Sequence, residues 1–304
     1  MDSPPNDHRP ARTATLGACG PGSHAVATAV PAASPGQIDG VPDSAAWRIG
    51  VFAYSLASYA LFFATFLYAF GFVAGVGTPT ALDRLPGATT PSWPFALLIN
   101  LAALLLFAMQ HSIMARPWFK ARWTRSVPEA AERSTYVLLS SVALLLLFAV
   151  WQPLGGLVWN VEQPVLRGAL FALMGFGWLL VLVTTFQINH FDLFGLRQGW
   201  LALIGRPYTH LPFKTPMLYR SVRHPLYVGW FIGFWATPTM TVAHLVFAVV
   251  TSVYILLAIR WEERDLVELH GERYVEYRRR VPKLVPRLTR GAHDRRSGGR
   301  TARG

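Results

Sequence analysis

Residues 220–240 read "RSVRHPLYVGWFIGFWATPTM", in which two arginines, a histidine and a proline lead directly into an apolar segment. Pro225 suits the first turn of a helix, because the amide hydrogen that proline lacks would have no helical partner there. Pro238 interrupts an apolar block that continues to residue 260. The first arm, 225–236, would give about 18 Å of helix, too short to cross about 30 Å of hydrocarbon. We therefore expect a helical hairpin whose first arm begins below the level of the lipid headgroups.

The rest of the chain also has the composition of a membrane protein. Of its 304 residues, 52% are hydrophobic and only 14% are charged, whereas about 25% of the residues in a soluble domain are charged. Four further apolar stretches each have about 18 residues or more, enough to cross a bilayer as a helix. We predict an all-α fold, a polytopic transmembrane helical bundle with four long spans plus a C-terminal helical hairpin, giving five to six membrane segments. The four spans are expected at about residues 49–76, 94–115, 134–151 and 166–189.

Composition also divides the chain into three regions. Residues 1–45 are rich in Pro, Ala, Gly and Ser and lack apolar periodicity, which predicts a disordered N-terminal tail. Residues 46–282 contain all the apolar stretches and are expected to form one transmembrane domain. Residues 283–304 are basic and are expected to form a disordered C-terminal tail.

The basic residues indicate how the chain is oriented in the membrane. The formal net charge is +12, and 26 of the 28 Lys and Arg residues lie in four regions: up to residue 48, 115–133, 190–223 and from 260 onward. With six passes, counting the short arm, all four regions fall on one side. Because basic loops remain in the cytoplasm, we expect both termini in the cytoplasm and the protein in a bacterial inner membrane. Orientation thus explains the charge, and we expect no nucleic-acid partner.

Polar residues gather where three of the spans end on this basic side. They occur in "MQHSIMARPWF" (109–119), in "TTFQINHFDLFGLRQGW" (184–200) and in "RWEERDLVELHGERYVEYRRRVP" (260–282). Ionisable groups at such depths usually mark function. His224 would cap a helix N-terminus, which favours anions, and Gly229 would leave room for a ligand to approach. Glu262 and Glu263 need a partner, for which a cationic or hydroxyl-rich ligand would serve.

The acidic residues that follow have a simpler explanation. Glu268, Glu272 and Glu276 recur every four residues and would share one face of a continuing helix. A solvated amphipathic helix with ion pairs explains most of these carboxylates without a ligand.

The motifs at 220–282 resemble the cofactor module of the isoprenylcysteine carboxyl methyltransferase and phospholipid methyltransferase superfamily. The shared pattern is Arg-His-Pro-x-Tyr-x-Gly at 223–229, Glu-Glu at 262–263 and Gly-x-x-Tyr-x-x-Tyr at 271–277. The upstream stretches "QHSIMARPWFK", "ERSTYVLLSS" and "INHFDLFGLRQ" are similar to one branch, the bacterial methanethiol S-methyltransferases.

The resemblance implies S-adenosyl-L-methionine bound at the cytoplasmic membrane face by a module covering about 190–282. It also implies methyl transfer to a small thiol, with methanethiol giving dimethyl sulfide, and membrane lipid as surroundings. Arg223 or the helix N-terminus could hold the cofactor's carboxylate, and the glutamates its ammonium and ribose hydroxyls. The residues expected to form or frame the pocket are Arg223, His224, Pro225, Tyr227, Gly229, Glu262, Glu263, Tyr274 and Tyr277.

A thiol reacts as its thiolate, so a base near the acceptor would help. The candidates are His190 and Asp192 in "NHFDLF" and His111 in "QHS". His190 and Asp192 would become partners only if the helix ends at that point. We further expect the link 190–223 to pack as a lid over the cofactor with the helix after Trp261.

Other functions fit parts of the pattern. An isoprenylcysteine carboxyl methyltransferase or a phospholipid N-methyltransferase would use the same cofactor on a larger acceptor. A transporter or scaffold is a non-enzymatic alternative, although transporters place their polar groups near the midplane. Four histidines near the spans, at positions 111, 190, 224 and 244, could suggest a haem protein, but they form no obvious pair on facing spans. We expect no metal.

Overall fold

The structure is a computed structural model that describes residues 44–87, 89–209, 211 and 214–286. Apart from 44–45 and 283–286, the two expected tails lie outside these ranges. A short 3-10 turn, Met217–Arg220, precedes the eighth helix. The elements in chain order are α1 (Ala45–Ala74), α2 (Trp93–Met114), α3 (Pro117–Trp123), α4 (Glu129–Val150), β1 (Leu157–Asn160), α5 (Pro164–Ile188), α6 (His190–Leu193), α7 (Leu196–Leu203), α8 (Pro225–Trp235), β2 (Thr239–Thr241), α9 (Val242–His270) and α10 (Glu272–Arg280).

Five of the described helices, α1, α2, α4, α5 and α9, are long and apolar enough to cross a membrane. The prediction of an all-α polytopic bundle is confirmed. The expected spans agree with these helices except that α4 begins five residues earlier, at Glu129. Polar residues occupy its first turn, so apolar character alone marks the start too late. Large apolar side chains such as Leu105, Phe176 and Leu257 remain exposed on the outside of the bundle, as expected for helices that face lipid.

The helices give the bundle two different ends. We call the end that carries the links 115–128 and 189–224 and helix α10 the basic end, and the end that carries loops 75–92 and 151–163 and strand β2 the opposite end. All four basic regions identified in the sequence lead to the basic end, insofar as the structure describes them.

The predicted hairpin is present, and its first arm is short. Helix α8 has 11 residues and is followed by an extended segment that leads into α9. Strand β2 pairs antiparallel with β1 from the loop after α4, with Leu157 opposite Thr241 and Asn160 opposite Thr239. This pairing gives hydrogen-bond partners to non-helical backbone, which lipid cannot supply. Between the two ends of the bundle, this part of the chain therefore consists of a short helix, α8, followed by a paired strand, β2.

A buried ion pair holds this break in place at the opposite end. The Nδ1 atom of His244 lies 2.7 Å from Oδ2 of Asp83, and its Nε2 atom lies 2.9 Å from the carbonyl oxygen of Phe234. The other carboxylate oxygen of Asp83 accepts hydrogen bonds from the backbone N–H and hydroxyl of Thr241. His244 is fully buried, so the loop after α1 is fixed to the start of α9.

Glycine residues bring α8 into close contact with α5. A Cβ atom on Gly229 would lie 2.7 Å from the carbonyl oxygen of Gly177, and one on Gly177 would lie 2.6 Å from the backbone nitrogen of Gly233. The space beside Gly229 is thus filled by α5, and the expectation that a ligand approaches there is wrong. The glycine instead lets two membrane helices approach closely.

The link 190–223 packs in two parts. Helix α7 lies against α1 and α4: a Cβ on Gly199 would clash with the Ser55 side chain, and one on Gly195 would meet Ser134 at 2.5 Å. The later part contacts α10, since the Tyr277 hydroxyl donates to the Tyr219 carbonyl at 2.6 Å. A lid formed over the cofactor by the link and the helix after Trp261 stays a prediction, to which the contact near residue 219 is relevant.

The chain after α9 also departs from the sequence prediction. Helix α9 ends at His270, and Gly271, with φ 57° and ψ −139°, separates it from α10. Glu268 therefore does not share a continuous helix with Glu272 and Glu276, so that prediction is wrong. Leu284 still packs against the apolar core, so the folded part extends beyond the boundary expected at residue 282.

Candidate active site

The Arg-His-Pro and Glu-Glu motifs meet at the basic end of the bundle. His224 Nε2 lies 3.0 Å from Oε1 of Glu263, and the Arg223 Nε and Nη2 atoms each lie 2.8 Å from the same oxygen. His224 and Glu263 are only 4% and 6% exposed. The charge of a carboxylate with this little access to water is compensated by the guanidinium. These residues fix the start of α8 against α9.

The neighbouring carboxylate is placed differently. One oxygen of Glu262, Oε2, accepts a hydrogen bond of 2.9 Å from the Tyr227 hydroxyl and lies 3.9 Å from His224 Nδ1. The other oxygen, Oε1, has no hydrogen-bond partner among the described residues, and the side chain is 45% exposed. Consecutive helical residues differ by about 100° in direction, so one glutamate faces the interior while the next reaches an open space. Glu262 is thus available to a ligand.

The C-terminal segment closes the start of α8. The backbone N–H groups of Arg223 and His224 donate to the carbonyls of Pro282 and Lys283 at 2.9 and 3.2 Å. The Arg223 Nη1 atom donates to the carbonyls of Arg278 and Val281. Most N–H groups of Arg223 therefore donate to acceptors within the protein. The expectation that Arg223 binds a ligand carboxylate has no support in this geometry.

The two tyrosines of the last motif lie beside this cluster. Tyr274 is 2% exposed, and its ring centroid is 5.7 Å from that of Tyr277. Burial raises the pKa of Tyr277 to about 12, so its hydroxyl stays protonated and donates to the Tyr219 carbonyl. Burial, followed by the nearby Glu263 charge, also raises the pKa of Tyr274. Both tyrosines frame the cluster as neutral phenols.

A cleft of about 750 Å³ lies between the segment at 214–220 and α10. Tyr277 lines it, but so do four basic side chains and one acidic one: Lys214, Arg220, Arg273, Arg280 and Glu276. A sulfonium compound with an α-amino-acid group has a net positive charge near pH 7. The excess of positive charge therefore makes this cleft a poor site for that cofactor.

His190 lies in an aromatic enclosure. Its Nε2 and Nδ1 atoms each lie 2.8 Å from a hydroxyl, that of Tyr59 and that of Thr185 respectively. The imidazole stacks on the Phe186 ring at 4.1 Å and is 2% exposed. Burial lowers the pKa of His190. With both ring nitrogens engaged by the protein, this histidine has the environment of a structural residue.

Asp192 does not pair with His190, although α5 does end at Ile188 as their partnership required. Its Oδ1 atom lies 2.9 Å from Arg197 Nη1, and Oδ2 accepts from the Tyr208 hydroxyl at 3.3 Å. The cause is that both residues lie in the short helix α6, where side chains two positions apart point to nearly opposite sides. The expected His190–Asp192 pair is thus replaced by an Asp192–Arg197 pair.

His111 lies in a polar cluster inside the bundle. The Tyr136 hydroxyl is 2.9 Å from its Nε2 atom and 3.0 Å from Nδ1, and the Ser140 hydroxyl is 3.2 Å from Nδ1. Nearby, the hydroxyls of Ser112 and Tyr254 lie 3.0 Å apart. The sequence analysis singled out His111 but not these hydroxyls. A signal existed in "STYVLLSS" (134–141), where hydroxyl side chains interrupt an apolar run.

The four histidines near the spans thus contact four separate sets of partners. His111 contacts Tyr136, and His190 contacts Tyr59. The carboxylate partners of the other two, His224 and His244, are Glu263 and Asp83. Within the described ranges, no three His, Cys, Asp or Glu residues are grouped so that they could hold a metal ion.

Comparison with known proteins shows the family of this chain. A protein of Crocosphaera subtropica named methanethiol S-methyltransferase is 53% identical over 239 residues, which cover 79% of this chain and 92% of that protein. A protein of the same name from Mycobacterium tuberculosis is 51% identical and covers 77% of this chain and 94% of its own length. This chain belongs to the methanethiol S-methyltransferase family. The resemblance drawn from the motifs is confirmed, and the protein is a membrane-embedded methyltransferase that requires a methyl donor.

A more distant relative indicates a wider group. Nurim from Xenopus laevis is 28% identical over 185 residues, 57% of this chain and 64% of its own length. No protein-family model and no solved structure matches the chain.

Proposed function

We propose that this protein transfers a methyl group from S-adenosyl-L-methionine to methanethiol, giving dimethyl sulfide, at the cytoplasmic face of a bacterial inner membrane. The observation that carries the proposal is the meeting of the two motifs at the basic end of the bundle, which leaves Glu262 Oε1 open beside Tyr227. The family membership, with relatives of this name at about half identity, supports the choice of acceptor.

The residues present fit the cofactor. The open carboxylate of Glu262 can accept hydrogen bonds from vicinal ribose hydroxyls or from an ammonium group. The aromatic face of Tyr227, which is only partly buried, would suit a sulfonium, because a cation is attracted to the negative face of a ring. When bound, the cofactor supplies an activated methyl group on a good leaving group. His224, Arg223 and Glu263 act on it indirectly, by fixing the helix that carries Tyr227.

Helix α8 supplies at most a limited site for the carboxylate end. Pro225 has no N–H, and the N–H groups of Arg223 and His224 already bond to the C-terminal segment. The N–H groups of Leu226 and Tyr227 remain in the first turn, where a helix N-terminus favours anions.

Of the three candidate bases, His111 fits the chemistry best. Asp192 is committed to Arg197, and His190 contacts Tyr59 of α1 and Thr185 of α5. The neighbours of His111, Phe107 and Ser112, instead contact Tyr254 on α9, the helix that carries Glu262. His111 is surrounded by hydroxyls that could also contact an acceptor. We assign it the removal of the thiol proton, because the thiolate is the reactive form.

A site at this depth suits a small apolar thiol. Methanethiol partitions into lipid and needs no wide opening, whereas a prenyl chain or a phospholipid would need a lateral entrance. The basic loops support the cytoplasmic orientation, because loops rich in Lys and Arg tend to remain in the cytoplasm.

The function is tested with membranes that contain the protein, S-adenosyl-L-methionine and methanethiol, by analysis of the headspace gas. We expect dimethyl sulfide with the wild-type protein and none when either reactant is omitted. Turnover of a prenylcysteine or a lipid amine without dimethyl sulfide would overturn the proposal in favour of a larger acceptor.

The cofactor site is tested separately by binding of labelled S-adenosyl-L-methionine to purified protein. His224→Ala, Glu263→Gln and Glu262→Gln should each weaken binding, the first two by displacing α8 and the third by direct loss of an acceptor. Undiminished binding in all three would refute this placement of the cofactor.

A further inference from the structure

The polar cluster around His111 lies deeper in the bundle than the Glu262 site. Tyr254 precedes Glu262 on α9 by eight residues, which corresponds to about 12 Å along the axis. His111 lies near the end of α2, and Tyr136 lies in the second turn of α4. Helices α2, α4 and α9 thus bring an imidazole and several hydroxyls together below the basic end.

The side chains within this cluster are arranged in a defined order. In the tautomer with hydrogen on Nδ1, His111 donates to the Ser140 hydroxyl at 3.2 Å, and its Nε2 atom accepts from the Tyr136 hydroxyl at 2.9 Å. The Phe107 ring stacks on the imidazole at a centroid distance of 5.3 Å and contacts Tyr254 edge-on. The imidazole is thereby fixed in orientation, which a proton acceptor requires.

Helix α9 connects this cluster with the proposed cofactor site. It carries Glu262, which accepts from the Tyr227 hydroxyl at 2.9 Å, and also Tyr254, whose hydroxyl lies 3.0 Å from that of Ser112, the neighbour of His111. The open carboxylate and the hydroxyls near His111 are therefore two positions along the same helix. An acceptor placed between these two positions would lie between the proton acceptor and the methyl donor.

We propose that the hydroxyls of Tyr136 and Tyr254, with His111, form the pocket for the small thiol, and that Tyr136 relays the thiol proton to Nε2 of His111. This inference rests on the proposed function. The S–H bond breaks as the Tyr136 oxygen takes the proton and its own proton moves to Nε2. The sulfur electron pair forms a bond to the methyl carbon, and the bond from that carbon to the sulfonium breaks, which leaves a neutral thioether. The imidazolium later returns its proton to water.

The chemistry of this cluster favours reaction of a thiol for a physical reason. In a water-poor site a thiolate is less solvated than in water, and a nearby imidazolium compensates its charge as it forms. A cationic side chain lies beside this group, since the Arg133 guanidinium carbon is 5.8 Å from the centroid of the Tyr136 ring. The neutral groups that face the imidazole are Tyr136, Ser140 and Phe107.

The test compares two small thiols of different acidity. We expect Tyr136→Phe to lower kcat/KM for methanethiol about 100-fold, as expected for loss of a positioned base, with the KM for S-adenosyl-L-methionine unchanged. With 2,2,2-trifluoroethanethiol, which is far more ionised near neutral pH, the loss should shrink at least about tenfold because a base is less needed. His111→Gln should show the same pattern.

Tyr54→Phe is the matched control. The Tyr54 hydroxyl on α1 donates at 2.9 Å to Thr135, which lies on α4 next to Tyr136 but outside the pocket. It should leave both rates unchanged. Equal losses with the two thiols in Tyr136→Phe would indicate a structural role and overturn the inference, as would wild-type rates in both pocket variants. If Tyr136→Phe does not fold, His111→Gln decides alone. Absence of dimethyl sulfide with the wild-type protein would instead refute the proposed function.

Discussion

Two buried pairs of histidine and carboxylate stand at the two ends of the bundle. At the opposite end, every side-chain nitrogen and oxygen of His244 and Asp83 has a hydrogen-bond partner. His244 Nε2 also contacts the Phe234 carbonyl, and Asp83 Oδ1 also accepts from Thr241. At the basic end His224 contacts Glu263 in a similar way, but the adjacent Glu262 keeps an oxygen without a partner among the described residues.

The difference shows that a buried charge pair is not in itself a sign of function. His224 and Glu263 join the start of α8 to α9, and His244 joins the start of α9 to the loop after α1 through Asp83 and to the end of α8 through the Phe234 carbonyl. Both pairs stabilise the fold. The proposed function uses the basic end because the preceding residue on α9, Glu262, has a carboxylate oxygen without a partner among the described residues. A sequence motif with two consecutive glutamates thus contains one structural and one ligand-binding candidate.

The functional difference between the two ends is tested most directly by removing one carboxylate at each end. Asp83→Asn should lower the free energy of unfolding by about 3–5 kcal/mol, because it leaves His244 buried without its charged partner. Glu263→Gln should cost a similar amount and also weaken cofactor binding. Thermal unfolding in detergent, together with binding measured on the folded fraction, checks both. Loss of cofactor affinity in Asp83→Asn would show that the ends are not functionally distinct.

A second prediction concerns the helix that joins the two ends. Gly229→Ala should destabilise the protein by about 1–3 kcal/mol, because the added methyl group meets α5 backbone. Gly175→Ala is the control, since a Cβ there has no atom within 4 Å. Apparent melting temperatures of the two variants give the comparison, and equal values would contradict the observed packing of α8 on α5.

A third prediction isolates the open carboxylate. Tyr227→Phe removes the hydroxyl that orients Glu262 and should raise the Kd for S-adenosyl-L-methionine about tenfold, equivalent to about 1.4 kcal/mol. Tyr68→Phe removes a comparable hydroxyl at the opposite end, where Tyr68 contacts Thr80 at 2.7 Å, and should leave binding unchanged. Equal Kd values for the two variants would show that Tyr227 does not contribute to cofactor binding.

The smallest expected effect is on the pH dependence of stability. Because burial lowers the pKa of His190, the unfolded chain binds a proton at this residue more readily than the folded chain. Its contribution to stability is therefore present above the unfolded pKa of about 6.5 and declines as the pH falls below that value. The melting temperature should fall less between pH 7.5 and pH 5.5 in the His190→Gln variant than in the wild-type protein. An equal or larger loss would contradict this assignment.

Much of the architecture could be predicted from local sequence. The long apolar runs predicted the spans, and Pro238 predicted the break between α8 and α9, because both signals depend on a residue and its immediate neighbours. The start of α4 was predicted five residues too late, because the first turn of this helix is polar. The turn at Gly271 was missed because a regular spacing of glutamates suggested a continuous helix.

The site was predicted less completely. The motifs identified His224, Tyr227, Glu262 and Glu263, but not that Arg223 would bond to Glu263 and to backbone carbonyls of the C-terminal segment. Nor did the sequence pair Asp192 with Arg197 in place of His190, because it did not show that His190 and Asp192 share the short helix α6.

By itself the sequence determined that the chain spans a membrane, which of its ends is basic, and which family motifs it carries, since these follow from composition and from order along the chain. Only the tertiary structure decided which of two adjacent glutamates is open, which histidine has a hydroxyl network around it, and what fills the space beside Gly229. Those outcomes depend on the rotational phase of each helix and on its neighbours, which lie far away in the sequence.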